Sequence, residues 1–237
     1  MTNQIADNSQ HKAAKVAGIM FLFSLIVPLL NWAFILSKLV VAENAIATAN
    51  NIMANMFQFR IGLTVELIMS AGLVVLGLAL YIVLKPVDKY IALLALLLKL
   101  VEASIAAAIV LVSFITLQVA KGGAYISIFT PDQLQTPVGL ILNMHTAVFS
   151  IPMVFLGLDM VLFSYLFFKS KYIPRILAGF GVISFALIFI HALMFILTPI
   201  YATMPVNQII FWAPSGIFEI VMGIWLLSKG LKIQHTK

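Results

Sequence analysis

The chain contains no cysteine. That excludes a disulfide, a thiolate metal site and a cysteine nucleophile, and it says nothing about compartment. Charge is almost as scarce, at 9% of residues, with only 8 acids. A soluble domain needs a charged surface, and this chain cannot make one. Motifs are missing too. There is no Walker loop, no dinucleotide fingerprint and no Gly-x-Ser-x-Gly elbow. No His-Glu-x-x-His or Glu-x-x-His spacing occurs, so no metal and no cofactor is expected. No folded basic module supports nucleic-acid binding.

Apolar sequence is what fills the 237 residues. They are 63% hydrophobic, and the mean hydropathy is +1.12. A membrane-spanning helix needs about 20 apolar residues. Six segments meet that length, near 15–38, 61–84, 91–118, 137–168, 175–199 and 208–228. The expected fold is an all-α integral membrane bundle of six transmembrane helices. Its domains are a polar N-terminus (1–14), one membrane domain (15–230) and a tail (231–237). The first apolar run exceeds a signal-peptide core and has no cleavage site close behind it, so it reads as a retained span.

An even number of spans puts both termini on one side. The basic residues choose the side. Lys12, Lys15, Lys85, Lys89, Lys169, Lys171, Arg175, Lys229, Lys232 and Lys237 fall on one face, and Lys38, Arg60 and Lys121 on the other. The richer face is cytoplasmic, and with it both termini. Between the first two spans, 42–59 reads either as a short helix on the outer surface or as an ordinary connector. "TPDQLQ" (130–135) reads as a helix start, with Thr130 at the cap and Pro131 in the first turn.

The polar residues inside the spans are the candidates for chemistry, because each charge at the centre of a span costs at least about 2.5–3.5 kcal/mol. They are Asn31, Glu66, Lys99, Glu102, His145, Asp159, His191 and Glu219. Helical rise and span direction place Glu102 and Glu219 near the midplane. Lys99 and Asp159 fall several residues toward the cytoplasm, and Asn31, Glu66, His191 and His145 in the outer half. Lys99 and Asp159 are therefore expected to pair and to tie the third span to the fourth. Lys99 and Glu102, at i and i+3, can also bond within one helix. Asn31, Glu66, Glu102, His145, His191 and Glu219 are the candidate ligand or proton cluster. On the fourth span His145, Pro152 and Asp159 share one stripe, and Pro152 is expected to kink that helix. On the sixth, Trp212, Ser215, Gly216, Glu219 and Gly223 share a face whose small residues admit a second helix closely.

Four stretches together resemble a known family. They are "FRIGLTVELIM" (59–69), "KPVDKYIALLALLLKLVEA" (85–103), "MHTAVFSIPMVFLGLDMVLFSYLFFKSKYIPRILAGFGV" (144–182) and "EIVMGIWLLSKG" (219–230). Their order is similar to that of a bacterial multi-pass membrane family, domain-of-unknown-function family 4386. In that family an arginine often stands at the position of Lys99 and a histidine at that of Asp159, which implies that the pair need not be common to all members. The resemblance implies a bacterial inner (plasma) membrane protein and brings no reaction, ligand or catalytic residue with it.

Three functions fit these residues. The first is a protein that binds or passes a small ligand or protons through its intramembrane polar cluster. The second is a membrane-embedded enzyme on a lipid or isoprenoid, using Glu66, Glu102 and His145. The third is an accessory protein whose polar residues fix packing. The expected partners are the lipid bilayer and a small-molecule, lipid or cation ligand, with no nucleic acid.

Overall fold

The structure is a computed structural model of the chain. It describes residues 2–41, 44–120, 139–141, 144, 148–198, 200 and 204–232. The elements are helices, with no strand among the described residues. Helix α1 (Thr2–Asn31) continues through one π-helical turn, Trp32–Leu36, into a last turn, Ser37–Leu39. Then come α2 (Ala45–Ala54), α3 (Met56–Leu84), α4 (Lys89–Ala120), α5 (Ser150–Ser170), α6 (Arg175–Leu197) and α7 (Pro205–Ser228). All but α2 belong to the 6 helices long and apolar enough to cross a membrane. The protein is thus a multi-pass, all-α membrane protein.

The chain divides into two compact units. The larger comprises Met1–Leu25, Ala71–Ala103 and Ser150–Lys237, and the smaller Ile26–Ser70 and Ser104–Phe149.

In the larger unit α1 reaches further back than the 15–38 span. Gln10 is buried and its Nε2 donates to the carbonyl of Val83 at 2.9 Å, beside buried Ala13, Ala14 and Ala17. A polar stretch can pack in this way because the side-chain amide satisfies a backbone acceptor. Further along, α1 and α7 meet through glycines. A Cβ on Gly18 would lie 3.0 Å from the Gly223 carbonyl, and one on Gly223 would lie 2.8 Å from Leu22 Cγ. The close approach expected on the sixth span is therefore made, and the partner is the first helix. Phe218 sits edge-on between Phe21 and Phe185, with ring centroids 6.1 and 5.5 Å away.

Asp88 starts α4 by accepting from the Ile91 N–H at 3.2 Å, and Lys169 Nζ reaches it from α5 at 3.4 Å. The Ile91 N–H, and after it Lys169, hold the Asp88 carboxyl below its ordinary value against an opposing desolvation. After α7 the chain folds back, and the Lys232 N–H donates to the Tyr172 carbonyl at 2.8 Å.

Pro152 does not kink a long fourth helix. A turn at Phe149 interrupts the segment, and α5 begins at Ser150. Pro152 therefore lies in the first turn, where N–H groups lack helical partners in any case. His145 and the 130–135 helix start lie outside the described residues.

The smaller unit has an apolar core of Leu36, Leu39, Ala49, Ile52, Phe59, Leu63, Val110 and Leu117. Of the two readings of 42–59, the helix is found. Asn44 caps α2 by accepting from the Ala47 N–H at 2.9 Å, and Thr48, Ala49 and Ile52 are its buried face. The Thr48 hydroxyl accepts from the Val41 N–H at 2.9 Å and donates to the Val41 carbonyl at 3.1 Å. Asn55 separates α2 from α3, so the second span starts five residues before the expected position 61.

Local hydrogen bonds hold the π turn. The Ser37 N–H bonds to the carbonyl of Trp32, five residues back. That leaves the Ala33 carbonyl without its usual donor, and Ser37 Oγ supplies one at 3.1 Å. Gln58 Nε2, from α3, serves the Phe34 carbonyl at 3.3 Å.

Candidate functional site

Lys99 is the centre of the charged group in the larger unit. It lies on the small-residue face of α4, where Ala92, Ala95, Ala103 and Ala106 are buried. Small neighbours on one helical stripe let adjacent helices come close enough to enclose a long side chain. Gly77 of α3 completes the enclosure. A Cβ there would fall 2.8 Å from Lys99 Cγ and 3.2 Å from Leu96 Cδ1. The lysine stem thus lies where any larger residue at 77 would collide with it.

The ammonium meets two carboxylates. Nζ is 2.7 Å from Glu102 Oε2, one turn along α4, and 2.9 Å from Asp159 Oδ1 on α5. Lys99 and Asp159 are fully buried and Glu102 is 2% exposed. The first contact is a well-formed hydrogen bond. The second is a short ion pair to a fully buried carboxylate. Glu102 also lies beside Asp159, close enough to interact with it directly. Packing supports Asp159 from behind. Gly157, two residues earlier, would place a Cβ 2.6 Å from Phe189 Cβ and 2.7 Å from its backbone nitrogen, so α5 and α6 touch there.

Glu219 of α7 is the fourth member. It is electrostatically coupled to both Lys99 and Glu102, and it makes no ion pair or hydrogen bond with the described residues. Unlike the other three it is only partly buried. The group therefore holds three carboxyls and one ammonium. With every member ionised it would carry two surplus negative charges in a low-dielectric interior, which costs several kcal/mol per uncompensated ion.

The remaining candidates are placed elsewhere. His191 of α6 is buried and receives the indole N–H of Trp212 on its Nδ1 at 3.3 Å. Trp is a donor only, so that nitrogen accepts. Phe211 packs on the same imidazole at 5.3 Å between ring centroids. Asn31 and Glu66 belong to the smaller unit. Asn31 Nδ2 donates to the Gly62 carbonyl at 3.3 Å, and its Oδ1 is buried without a donor. Glu66 is half-buried, and its backbone carbonyl accepts from Ser70 Oγ at 3.0 Å. Of the six candidates, Glu102, His191 and Glu219 belong to the larger unit, Asn31 and Glu66 to the smaller, and His145 lies outside the described residues. Among the described residues no group of three or more His, Asp or Glu side chains is arranged to hold a metal ion.

Sequence reasoning passed over Gly77, whose only signal was a glycine interrupting an otherwise favourable helical run. It named Trp212 as a member of a face and not as the partner of His191.

Neither the curated proteins nor the solved structures contain a match to the chain. The family described as Domain of unknown function (DUF4386) matches residues 16–230. That span takes in most of α1, the whole Lys99 group and the end of α7, and the chain belongs to that family.

Proposed function

We propose that the protein resides in the bacterial inner membrane with both termini in the cytoplasm, and that it binds or passes a small ligand or protons through the group formed by Lys99, Glu102, Asp159 and Glu219. The observation that carries this reading is the pairing of one buried ammonium with carboxylates of two helices at 2.7 and 2.9 Å, with a third carboxyl in electrostatic reach. A purely structural pair would balance its charge. This group has three acids for one base, so its charge depends on what it takes up.

The ligand reading is tested on the purified protein by following its melting temperature against pH and against a panel of monovalent and divalent cations. The parent is expected to shift with pH or with one cation, and the double variant Glu102→Gln/Glu219→Gln to lose that shift while still folding. A parent indifferent to every condition would leave the group with a packing role only.

Orientation rests on the ten basic residues of one face against the three of the other. Cysteines placed singly at positions 4 and 235 are expected to resist a membrane-impermeant thiol reagent in intact cells, and one at position 123 to react. Labelling at both ends from outside would reverse the topology.

A further inference from the structure

At one end of the larger unit the chain reverses twice. Between α5 and α6 it turns at Lys171, whose φ is +58°, and after α7 it turns at Gly230, whose φ is +66°. The two reversals lie side by side, because the Lys232 N–H donates to the Tyr172 carbonyl at 2.8 Å. Each is pinned by a buried apolar side chain, Ile173 in the first and Leu231 in the second. The bases on these segments are therefore held by folded backbone.

Four of them are exposed there: Lys171, Arg175, Lys229 and Lys232. From Met160 to the C-terminus the sequence has one acid, Glu219, and it lies well inside α7. Asp88, at the start of α4, is engaged by Lys169. None of the four bases is in an ion pair with a described residue. Like charges gathered at one corner repel, and an anion seated among them relieves that repulsion.

Two of the bases lie over aromatic rings. Arg175 Cζ is 5.3 Å from the centre of the Phe168 ring, and Lys232 Nζ is 5.9 Å from that of Trp225. Such a contact steadies a cation and leaves its N–H groups for an acceptor. The Trp225 Nε1–H has no acceptor among the described residues. The surface beside the bases is apolar. Ile176, next to Arg175, is 88% exposed, and Phe168 is 41% exposed. The two helices meet there, since a Cβ on Gly179, one turn beyond Arg175 and Ile176, would touch the Phe168 ring at 3.8 Å. A soluble anion gains nothing from that surface. A phospholipid gains from both parts, with its phosphate among the bases and an acyl chain along Phe168 and Ile176.

We infer that this corner binds the headgroup of an anionic phospholipid, held by Arg175 and Lys232 with Lys171 and Lys229 beside them, and that the Trp225 indole N–H donates to one of its oxygens. The site is separate from the Lys99 group and does not depend on what that group takes up.

The test is native mass spectrometry of the full chain released from detergent micelles. The micelles carry phosphatidylglycerol, phosphatidylcholine with the same acyl chains, or glycerol 3-phosphate. The parent is expected to retain phosphatidylglycerol about tenfold more tightly than phosphatidylcholine, and to retain no glycerol 3-phosphate. Arg175→Gln/Lys232→Gln should weaken phosphatidylglycerol binding about tenfold. Trp225→Phe, which keeps a ring and removes the donor, should weaken it severalfold. Lys12→Gln/Lys15→Gln removes the same charge from exposed positions on α1 and should bind like the parent. Equal losses in the two double variants would mean attraction to net charge alone, and would overturn the site. Parent-like binding in Arg175→Gln/Lys232→Gln or in Trp225→Phe overturns it as well. Equal retention of the two lipids, or retention of glycerol 3-phosphate, overturns the choice of an anionic lipid.

Discussion

In the smaller unit the buried hydroxyls are satisfied close to home. Thr116 Oγ1 donates to the Val112 carbonyl at 2.8 Å, one turn back, and Thr48 exchanges both its bonds with Val41. An apolar cluster packs in the same unit, and Asn31 is a buried amide that donates to the Gly62 carbonyl. In the larger unit a buried charge draws on more than one helix. Lys99 needs Glu102 from its own helix and Asp159 from another, and Glu219 approaches from a third. A hydroxyl bonded to its own helix is indifferent to which neighbour packs beside it. A buried ammonium is not, because the lipid offers it no alternative partner. The larger unit therefore holds a buried ammonium whose partners come from two helices.

The largest effect expected from breaking this contrast is at Lys99. Lys99→Leu leaves two buried carboxyls without their cation and should destabilise the protein by about 3–5 kcal/mol, the usual cost of removing one partner of a buried pair. Combining it with Asp159→Leu should recover part of the loss, because a second charge then leaves the interior. Thermal unfolding in detergent measures both. A double variant as unstable as the two singles added together would mean that the residues do not act as a pair. The smaller unit should give a smaller number. Asn44→Ala removes the cap of α2 and should cost about 1 kcal/mol without altering any response to pH or ions. A pH response changed by that substitution would show that the two units are not independent in function.

Much of this contrast was legible before any coordinates. Apolar run length alone gives the six spans, since a helix is the way for a single segment to satisfy its backbone in lipid. Helical rise and span direction bring Lys99 to the depth of Asp159, and a spacing of three brings it to Glu102. What could not be read was which acids share a neighbourhood across helices. Glu66 and Glu219 look alike as isolated glutamates in apolar runs, yet one falls in the smaller unit and the other beside Lys99. Rotation of each helix about its axis decides that, and rotation is set by contacts such as Gly18 on Gly223 and Gly157 on Phe189, not by span length. The start of α5 was misjudged for a related reason. Pro152 reads as a kink inside a long apolar run and as a harmless first-turn residue once the run is divided at Phe149.

The π turn at Trp32–Leu36 can also be described as an inserted residue. Closing on the fifth residue instead of the fourth takes one more amino acid into the turn than an α-helix holds. An insertion in a helix normally rotates everything beyond it by about 100°. Here the turn absorbs the extra residue, and Leu36 and Leu39 still meet the core of Ile52, Phe59 and Leu63. Within the smaller unit the extra residue thus sets which side chains of the turn and of the residues after it, Leu36 and Leu39, reach Ile52 and Phe59.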